Sequence, residues 1–292
     1  MAGILLWLAA LAWQAPQADP RLQAVLARVA EEAEIFAQAA TNLTSEETFQ
    51  QRARKNPRRF RPRFGGAATE PPKVEYAMRE IVSEYGYAVL KESPGQLHEL
   101  RQVMSVDGRK IMSAQTARQA LARGMKSQDD RVKRRMLEEF RRHGLASAAA
   151  DFGQVILLFS QRRQGEYRFA IRRSEHIGAD PALVLTFEQT GGSGALVIFE
   201  GRTAIHQTLE GELWVRQPDW LPLRVVLRSV RKRDETVIRD EATVDYVMTQ
   251  HGVLAPASVV HRQYAGDQLA VENLFRYLAF RKFAAEAEVK FN

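Results

Sequence analysis

Residues 210–228 read EGELWVRQPDWLPLRVVLR, and this stretch decides the fold. From Leu223 to Arg228, the apolar residues Leu223, Val225 and Leu227 occupy every second position, and Arg224 and Arg228 lie at the intervening ones. A period of two is typical of a β-strand that buries one face and exposes the other. The run QPDW at 217–220 carries the proline and the acid of a turn and separates this strand from the apolar residues before it. We therefore expect two antiparallel strands joined by a short turn.

The same period of two recurs on both sides of this stretch. It runs through residues 167–172, 183–188 and 243–249 and continues at Val260, Tyr264, Phe275 and Tyr277. The turn-forming runs GADP, TGGSG, HGVLAP and YAGDQ separate these segments, which predicts a meandering antiparallel sheet. No helical pattern of adequate length interrupts residues 165–291. The sheet must therefore bury its apolar face by curling on itself or by packing against the helices that precede it.

The front of the chain mixes helices and strands. From Pro20 to Phe36, apolar residues recur at three- and four-residue steps and predict an amphipathic helix. Residues 74–112 resemble strands, with Asp107-Gly108 as a tight hairpin turn. Two helices follow, one capped by Ser113 and one capped by Asp129 or Asp130. Residues 146–160 fit a helix or a buried strand, and their periodicity does not decide between them.

The N-terminus predicts export. Residues 4–13 read ILLWLAALAW, an apolar run that suits the core of a signal peptide and is shorter than the roughly 20 residues that span a bilayer. We expect a signal peptide over residues 1–18, an N-terminal helix over 19–42, a basic linker over 43–72 and a sheet domain over 73–292, with a helical insertion at about 113–160. The exported protein would be periplasmic or secreted, either soluble or peripheral to a membrane.

The positive charge of the chain is concentrated in one segment. The 292 residues include 42 Lys and Arg against 35 Asp and Glu, a net charge of +7. Residues 51–64 hold seven cations and no acid: Arg52, Arg54, Lys55, Arg58, Arg59, Arg61 and Arg63. Blocks of like charge are commonly solvated linkers, and they also attract anionic membrane surfaces. Both interpretations of this basic arm stay open, whereas specific recognition of nucleic acid is not expected, because a nucleic-acid binder usually carries its cations on a folded element.

Motifs for catalysis or for metal binding are weak. The chain has no cysteine, which excludes disulfide scaffolds, zinc ribbons and cysteine nucleophiles. His98-Glu99 lacks the second histidine of a zinc-protease helix, and Gly191–Gly194 lacks the last glycine of a hydrolase elbow. The adjacent acids Asp240-Glu241 are expected at a solvated edge, with side chains that point apart. We expect no enzyme activity, no catalytic residue, no metal and no cofactor.

Three stretches of the C-terminal half carry a resemblance to a known family. They are residues 212–224, the pair of segments formed by Tyr246 and residues 252–256, and residues 273–280. Their strand, acidic turn and proline-opened return strand resemble the LolA/LolB-like superfamily of periplasmic lipoprotein carriers, and the chain is also similar to acidobacterial-type envelope proteins of unknown function. The resemblance implies an α+β fold with a curved antiparallel sheet, an incomplete β-barrel whose concave apolar face is covered by helices and holds acyl chains.

The first functional hypothesis is therefore an exported envelope protein that binds a lipid or a lipoprotein acyl chain in the concavity. The expected ligand-binding residues are Phe169, Phe187, Tyr246, Tyr264, Phe275 and Tyr277, with His261 and Arg276 as polar groups at the mouth. The second hypothesis is a structural or interaction protein of the cell envelope in which helices fill the half-barrel. A hydrolase is the third. An apolar cavity would favour binding, and a solid core would favour the second hypothesis.

Overall fold

The computed structural model describes residues 19–55, 74–145, 152–192, 196–200, 203–233 and 235–282. The predicted signal peptide and most of the basic arm lie outside these ranges. The helices are α1 (Pro20–Ala39), α2 (Ala114–Lys126) and α3 (Asp130–His143), with 3₁₀ turns at Ala40–Asn42, Val155–Phe159 and Gln164–Glu166. The strands are β1 (Leu43–Arg54), β2 (Tyr76–Leu90), β3 (Ser93–Val106), β4 (Arg109–Lys110), β5 (Tyr167–Ile177), β6 (Asp180–Gln189), β7 (Leu196–Glu200), β8 (Thr203–Gln207), β9 (Glu210–Arg216), β10 (Pro222–Arg233), β11 (Thr236–Met248), β12 (Leu254–Ala265) and β13 (Gln268–Lys282).

Eleven strands form one antiparallel sheet in the order β4-β3-β2-β1-β13-β12-β11-β10-β9-β6-β5. Strands β7 and β8 make a separate two-stranded hairpin. The large sheet starts at β4 and ends at β5, so it is an open, incomplete barrel. This confirms the expected α+β class with a curved antiparallel sheet and covering helices. The sequence also predicted the β3–β4 turn, in which Asp107 and Gly108 have φ of 50° and 76°.

Strand β1 corrects the expected linker over residues 43–72. Residues 43–54 form a strand between β2 and β13, near the centre of the sheet. Its burial alternates along its whole length, but the inward positions include Ser45, Glu47 and Gln51. Because these buried residues are polar, the hydrophobic period of two is absent, and the sequence resembles a linker.

The helical insertion covers both faces of the sheet at its β3 edge. Helix α2 starts at its expected cap, Ser113, whose Oγ accepts a hydrogen bond from the backbone N–H of Thr116. Leu121 of α2 packs with Ala88 and Leu100, which point to the convex face. Helix α3 starts after Asp129, and its Phe140 instead reaches Phe49 on the concave face, with a ring-centroid distance of 5.5 Å. The insertion therefore runs from the convex face to the concave face past strand β3.

Helix α1 and the 3₁₀ turn Val155–Phe159 lie on the concave face. Val25, Val29 and Phe36 of α1 are fully buried in the main core together with Ile156 and Phe159. Phe36 meets Tyr87 of β2 edge-to-face at 5.3 Å. Residues 155–159, which the sequence left open between helix and strand, are thus a 3₁₀ turn that covers the sheet. In the part of the chain that the structure describes, none of the helices has the length and apolar character to cross a bilayer.

Candidate functional site

The concave face has an apolar wall on one side of the barrel. Strands β6, β9, β10 and β11 direct aliphatic residues inward in matching register, so that each faces a neighbour on the next strand. These residues are Leu183, Leu185, Leu213, Val215, Val225, Leu227 and Val244, all at most 2% exposed. Edge strand β5 continues the wall with Tyr167, Phe169 and Ile171. The apolar residues at the alternating positions of these strands therefore face the concavity.

Four aromatic rings gather where the wall meets edge strand β5. Phe159, from the 3₁₀ turn, lies 5.1 Å from Phe187 in an edge-to-face arrangement and 6.2 Å from Phe169. Tyr167 lies 6.0 Å from both Phe169 and Phe187. Burial raises the pKa of Tyr167 to about 12, so its hydroxyl is neutral at physiological pH. We call these four residues the aromatic cluster.

A band of half-buried apolar side chains lies beside the aromatic cluster. Helix α1 contributes Leu22 and Leu26, and edge strand β5 contributes Phe169 and Ile171. Gln164, just before β5, ties α1 to the 3₁₀ turn, because its Nε2 donates to the backbone oxygen of Leu26 at 2.7 Å and to that of Phe159 at 3.1 Å. We call the four apolar side chains together with Gln164 the seam.

Helix α1 is also held in place at its N-terminal end. The guanidinium of Arg21 lies over the Trp220 ring, 5.5 Å from its centroid, in the turn between β9 and β10. Trp220 is partly buried against the main core. The contacts that hold α1 over the apolar wall are thus a cation–π contact at one end and side-chain hydrogen bonds further along.

The other side of the concave face carries a buried polar belt across strands β1, β13, β12 and β11. Gln51 Nε2 donates to Asn273 Oδ1 at 2.9 Å, and Asn273 Nδ2 donates to His261 Nδ1 at 3.1 Å. Because the Asn273 amide donates to Nδ1, the His261 ring donates from Nε2 to Asp240 Oδ1 at 3.1 Å. Arg231 Nη1 donates to Asp240 Oδ2 at 2.7 Å.

The belt holds Asp240 as a carboxylate. Burial alone would raise the pKa of Asp240, but hydrogen bonds and charge from His261, the amide of Gln263 and the charge of Arg231 lower it below the usual value. Asp240 is 4% exposed, which corrects the expectation that the Asp240-Glu241 pair lies at a solvated edge. The two acid side chains do point apart: Asp240 lies on the buried face, and Glu241 pairs with Arg239 on the other face.

A second buried charge group lies nearer to α1. Arg101 donates from Nε and Nη2 to the two carboxylate oxygens of Glu47, at 2.7 and 2.9 Å, and from Nη2 to Glu99 at 2.6 Å. Burial alone would lower the pKa of Arg101, but the two glutamates raise it well above its ordinary value. Glu99 also accepts a hydrogen bond from the backbone N–H of Gly153 at 2.7 Å, which ties the covering segment to the sheet.

The expected ligand residues separate into three groups. Phe169 and Phe187 lie in the aromatic cluster. Tyr246, Phe275 and Tyr277 point into the concave side and are buried in the main core, with the Phe275 and Tyr277 rings stacked at 6.5 Å. Tyr264 lies on the convex face, where the guanidinium of Arg239 sits 4.6 Å from its ring centroid.

The two polar groups expected at the mouth lie elsewhere. His261 is 2% exposed inside the polar belt, beneath the Phe152 ring. Arg276 is exposed on the convex face, opposite Thr48 and Ser258. The sequence did not identify Gln164 and Arg21, which connect α1 to the rest of the fold: Gln164 bonds to Leu26 of α1, and Arg21 of α1 lies over Trp220. Local pattern gives no signal for these contacts.

Three cations of the basic arm belong to the sheet or its border. Arg52 lies over the Tyr76 ring at 4.1 Å and faces Glu272, Arg54 hydrogen-bonds to Gln268, and Lys55 pairs with Glu75 at 3.3 Å. Arg58, Arg59, Arg61 and Arg63 lie outside the described residues. The basic arm is therefore shorter than the sequence predicts.

The convex face near the β5 edge carries a shallow groove of about 330 Å³. Its lining consists of charged residues, of Ala170, Thr186 and Gly211, and of Phe169 and Phe187; the charged residues are Arg168, Arg172, Arg228, Glu188, Glu210 and Glu212. Arg172 donates to Glu212 at 2.6 Å, so the groove is charged and internally paired. Among the described residues, no three His, Asp or Glu side chains are grouped so as to hold a metal ion.

Comparisons with known proteins give two similar solved structures. A LolA superfamily protein from Nitrosomonas europaea is 13% identical, with a TM-score of 0.31, over 88% of this chain and 93% of that chain. A DUF1329 family protein from Desulfovibrio piger is 10% identical, with a TM-score of 0.36, over 94% of this chain and 96% of that one. No protein-family model and no curated protein matches the chain. The first of the two structures carries the name of the superfamily that the sequence resembles.

Proposed function

We propose that the protein is a non-enzymatic binding protein that holds an elongated apolar ligand, such as a lipid acyl chain, along the seam. The observation that carries this proposal is the difference in burial across the seam. Phe187 and Phe159, behind it, are at most 2% exposed, whereas Phe169, Ile171, Leu22 and Leu26 stay half-buried. These four side chains pack against the main core and stay partly open to solvent.

An acyl chain fits the seam for energetic reasons. Each methylene group that leaves water gains roughly 0.8 kcal/mol, so a long chain needs few directional contacts. The aromatic cluster offers ring edges and faces on one side, and helix α1 offers leucines on the other. Gln164 and Arg21 supply the few polar groups that an apolar site uses to orient its ligand.

The test is ligand binding by the full chain. Native mass spectrometry would detect co-purified lipid, and palmitate added to delipidated protein should raise its melting temperature. The variants Phe169→Ser and Ile171→Ser should weaken palmitate binding about tenfold or more, because each removes more than one methylene equivalent of contact. Leu278→Ser, which changes a side chain that is 62% exposed on the convex face, is the matched control and should bind as wild type does. Equal binding by all four proteins would contradict the proposal.

A second candidate function is that of an interaction protein with a filled half-barrel. The observation that favours it is complete burial of Val25, Val29, Ala33 and Phe36, since α1 occupies the concavity as a core element. In that case the protein would bind its partner through an outer surface, and no ligand would enter.

A crosslink separates the two candidates. The chain has no cysteine, so Leu26→Cys with Gln164→Cys introduces the only two thiols, at the point where α1 is tied to the 3₁₀ turn. A short thiol crosslinker should block palmitate binding in a carrier, while the uncrosslinked variant still binds. A filled half-barrel predicts no palmitate binding in either state.

We also infer that the protein acts in the cell envelope, outside the cytoplasm, and that its basic arm contacts anionic surfaces. The apolar run at residues 4–13 and the cations Arg58, Arg59, Arg61 and Arg63 support these inferences. Fractionation with N-terminal sequencing tests export. Replacement of the four arginines by serine tests the arm without disturbing β1, and it should reduce binding to anionic vesicles.

A further inference from the structure

The antiparallel order of the sheet brings four connections to one end of the barrel. They are the β1–β2 connection after Arg54, the β3–β4 turn at Asp107-Gly108, the β10–β11 turn after Arg233, and the β12–β13 turn at Gly266-Asp267. We call this the turn end. The β10–β11 hairpin extends past the end of β9, because β9 pairs with β10 only as far as Arg228, whereas β11 pairs with β10 as far as Arg233. On its other side, β12 borders β11 as far as Ile238, and Gly266 N–H donates to the backbone oxygen of Val237, so the hairpin tip lies beside the β12–β13 turn.

Exposed apolar side chains are concentrated at the turn end. Of the nine large apolar residues that are exposed in the described part of the chain, five lie there, and they come from four different strands or their borders. They are Val74 (49% exposed), Met78 (65%), Ile111 (45%), Val230 (64%) and Val237 (42%). They form an arc along the rim of the sheet rather than one pocket. Such an arc can contact a broad, deformable surface better than it can contact a compact protein partner.

The exposed cations at the turn end lie beside these apolar residues. Arg109 and Lys110 precede Ile111, and Lys232 and Arg233 lie between Val230 and Val237 along the hairpin. Among the described residues of these four connections, four acids are exposed. Glu75 and Asp107 form ion pairs with Lys55 and Arg79, and Glu235 and Asp267 lie in turns.

From this arrangement we propose that the turn end docks on the surface of an anionic lipid bilayer. The cations approach the lipid phosphates, and the aliphatic side chains enter the boundary between headgroups and acyl chains. The phosphates of a nucleic acid would pair with the cations, but Val230, Val237 and Met78 would stay exposed to water. The proposal depends on neither the seam nor its ligand, because the seam lies beside β5 and α1.

The experiment is flotation of the full chain with large vesicles. Wild-type protein should bind phosphatidylcholine vesicles that contain phosphatidylglycerol and should bind pure phosphatidylcholine vesicles weakly. Each Lys or Arg near an anionic surface strengthens binding about fivefold, so Lys232→Gln with Arg233→Gln should weaken it about 25-fold. Val230→Ser with Val237→Ser should also weaken binding, and this loss should persist at high salt, because salt screens charges and not apolar insertion.

Matched controls keep the test decisive. Val247→Ser with Met248→Ser changes two residues of similar exposure at the opposite end of β11, 41% and 40%, and should bind as wild type does. The proposal would be overturned if the wild-type protein did not bind anionic vesicles. It would also be overturned if the hairpin variants bound them as well as the wild type does. Binding to a single-stranded oligonucleotide in place of vesicles would overturn it as well. The same variants should keep their affinity for palmitate, which separates a failure at the turn end from a failure at the seam.

Discussion

The two flanks of the concave face bury different chemistry on the same kind of strand. On the flank formed by β6, β9 and β10, the inward residues are aliphatic: Leu183, Leu185, Leu213, Val215, Val225 and Leu227. On the flank formed by β3, β2, β1, β13 and β12, they include Ser45, Glu47, Gln51, Asn273 and His261, all at most 2% exposed. We call these the apolar flank and the polar flank.

The difference shows how one sheet can be stabilised in two ways. The apolar flank is stabilised in proportion to the apolar area that it removes from water. This stabilisation does not depend on the direction of individual contacts. The polar flank depends on complete sets of partners, because a buried charge that loses its partner keeps its desolvation cost. Substitutions in the two flanks should therefore differ in size, in pH dependence and even in sign.

The largest effect is expected in the polar flank at Arg101. Arg101→Met removes the cation and leaves Glu47 and Glu99 buried beside each other without compensation. Loss of one partner from a buried ion group typically costs about 3–5 kcal/mol of unfolding free energy. Urea unfolding followed by far-UV circular dichroism measures this change.

A compensated variant sharpens the same test. Glu47→Gln and Glu99→Gln, added to Arg101→Met, remove all three charges and should recover much of the lost stability, because neutral amides are cheaper to bury. If the triple variant is as unstable as Arg101→Met, the loss comes from packing around the Phe140 ring, which lies 4.4 Å from the guanidinium carbon, and not from charge.

In the apolar flank, Leu213→Ala should cost about 2–5 kcal/mol, the range for a buried leucine that leaves a cavity. Leu213 is fully buried between β6 and β10, whose backbones limit how far the site can collapse. The loss should be the same at acid and neutral pH, because no titrating group contacts this position through the sheet register. A pH-dependent loss in urea unfolding would show that the two flanks are coupled.

The contrast between the flanks also decides what the sequence could predict. At Val225 and Leu227 and in the strands around them, the aliphatic residues alternate in the sequence as they do in space, so the period alone predicts the sheet. Leu223 is an exception, because a register shift at the start of β10 places it with Trp214 on the other face. Strand β1 alternates in space as well, but Glu47 and Gln51 occupy inward positions, and their partners Arg101 and Asn273 are remote in sequence. No local pattern reveals that these polar residues are satisfied, so β1 resembles a linker.

The candidate site was predictable to a similar degree. Phe169 and Phe187 follow from strand alternation, and the stripe of α1 already contained Leu22 and Leu26. Which helix face would cover which strand depends on tertiary contacts, such as that between Gln164 and Leu26, which no single segment encodes. Tyr264 was assigned to the concave face in error, because polar residues, His261 and Gln263, occupy the inward positions of this part of β12 and bond to Asp240, which leaves Tyr264 on the convex face.

A smaller, pH-dependent effect is expected at Asp240. Its pKa is lower in the folded protein than in the unfolded chain, where it is about 3.9, so the carboxylate stabilises the fold above that pH and loses this effect as the pH falls through the folded pKa. Asp240→Asn should therefore reduce stability at neutral pH and flatten the loss of stability in acid. Urea midpoints of both proteins at neutral pH and below about pH 4 measure this difference. Parallel pH curves would contradict the assigned ionisation.

The smallest effect should have the opposite sign. Ser83 is fully buried on the polar flank opposite Glu47, and in the described part of the chain its Oγ has no hydrogen-bond partner. Burial of an unsatisfied hydroxyl is unfavourable, so Ser83→Ala should raise the unfolding free energy by up to about 1 kcal/mol. Thr186→Ala on the convex face, whose hydroxyl donates to Ala170 at 3.3 Å, is the control and should not stabilise the protein. If Ser83→Ala destabilises the fold in urea unfolding, the Ser83 hydroxyl is satisfied in the folded protein, which would contradict its assignment as an unpaired buried group.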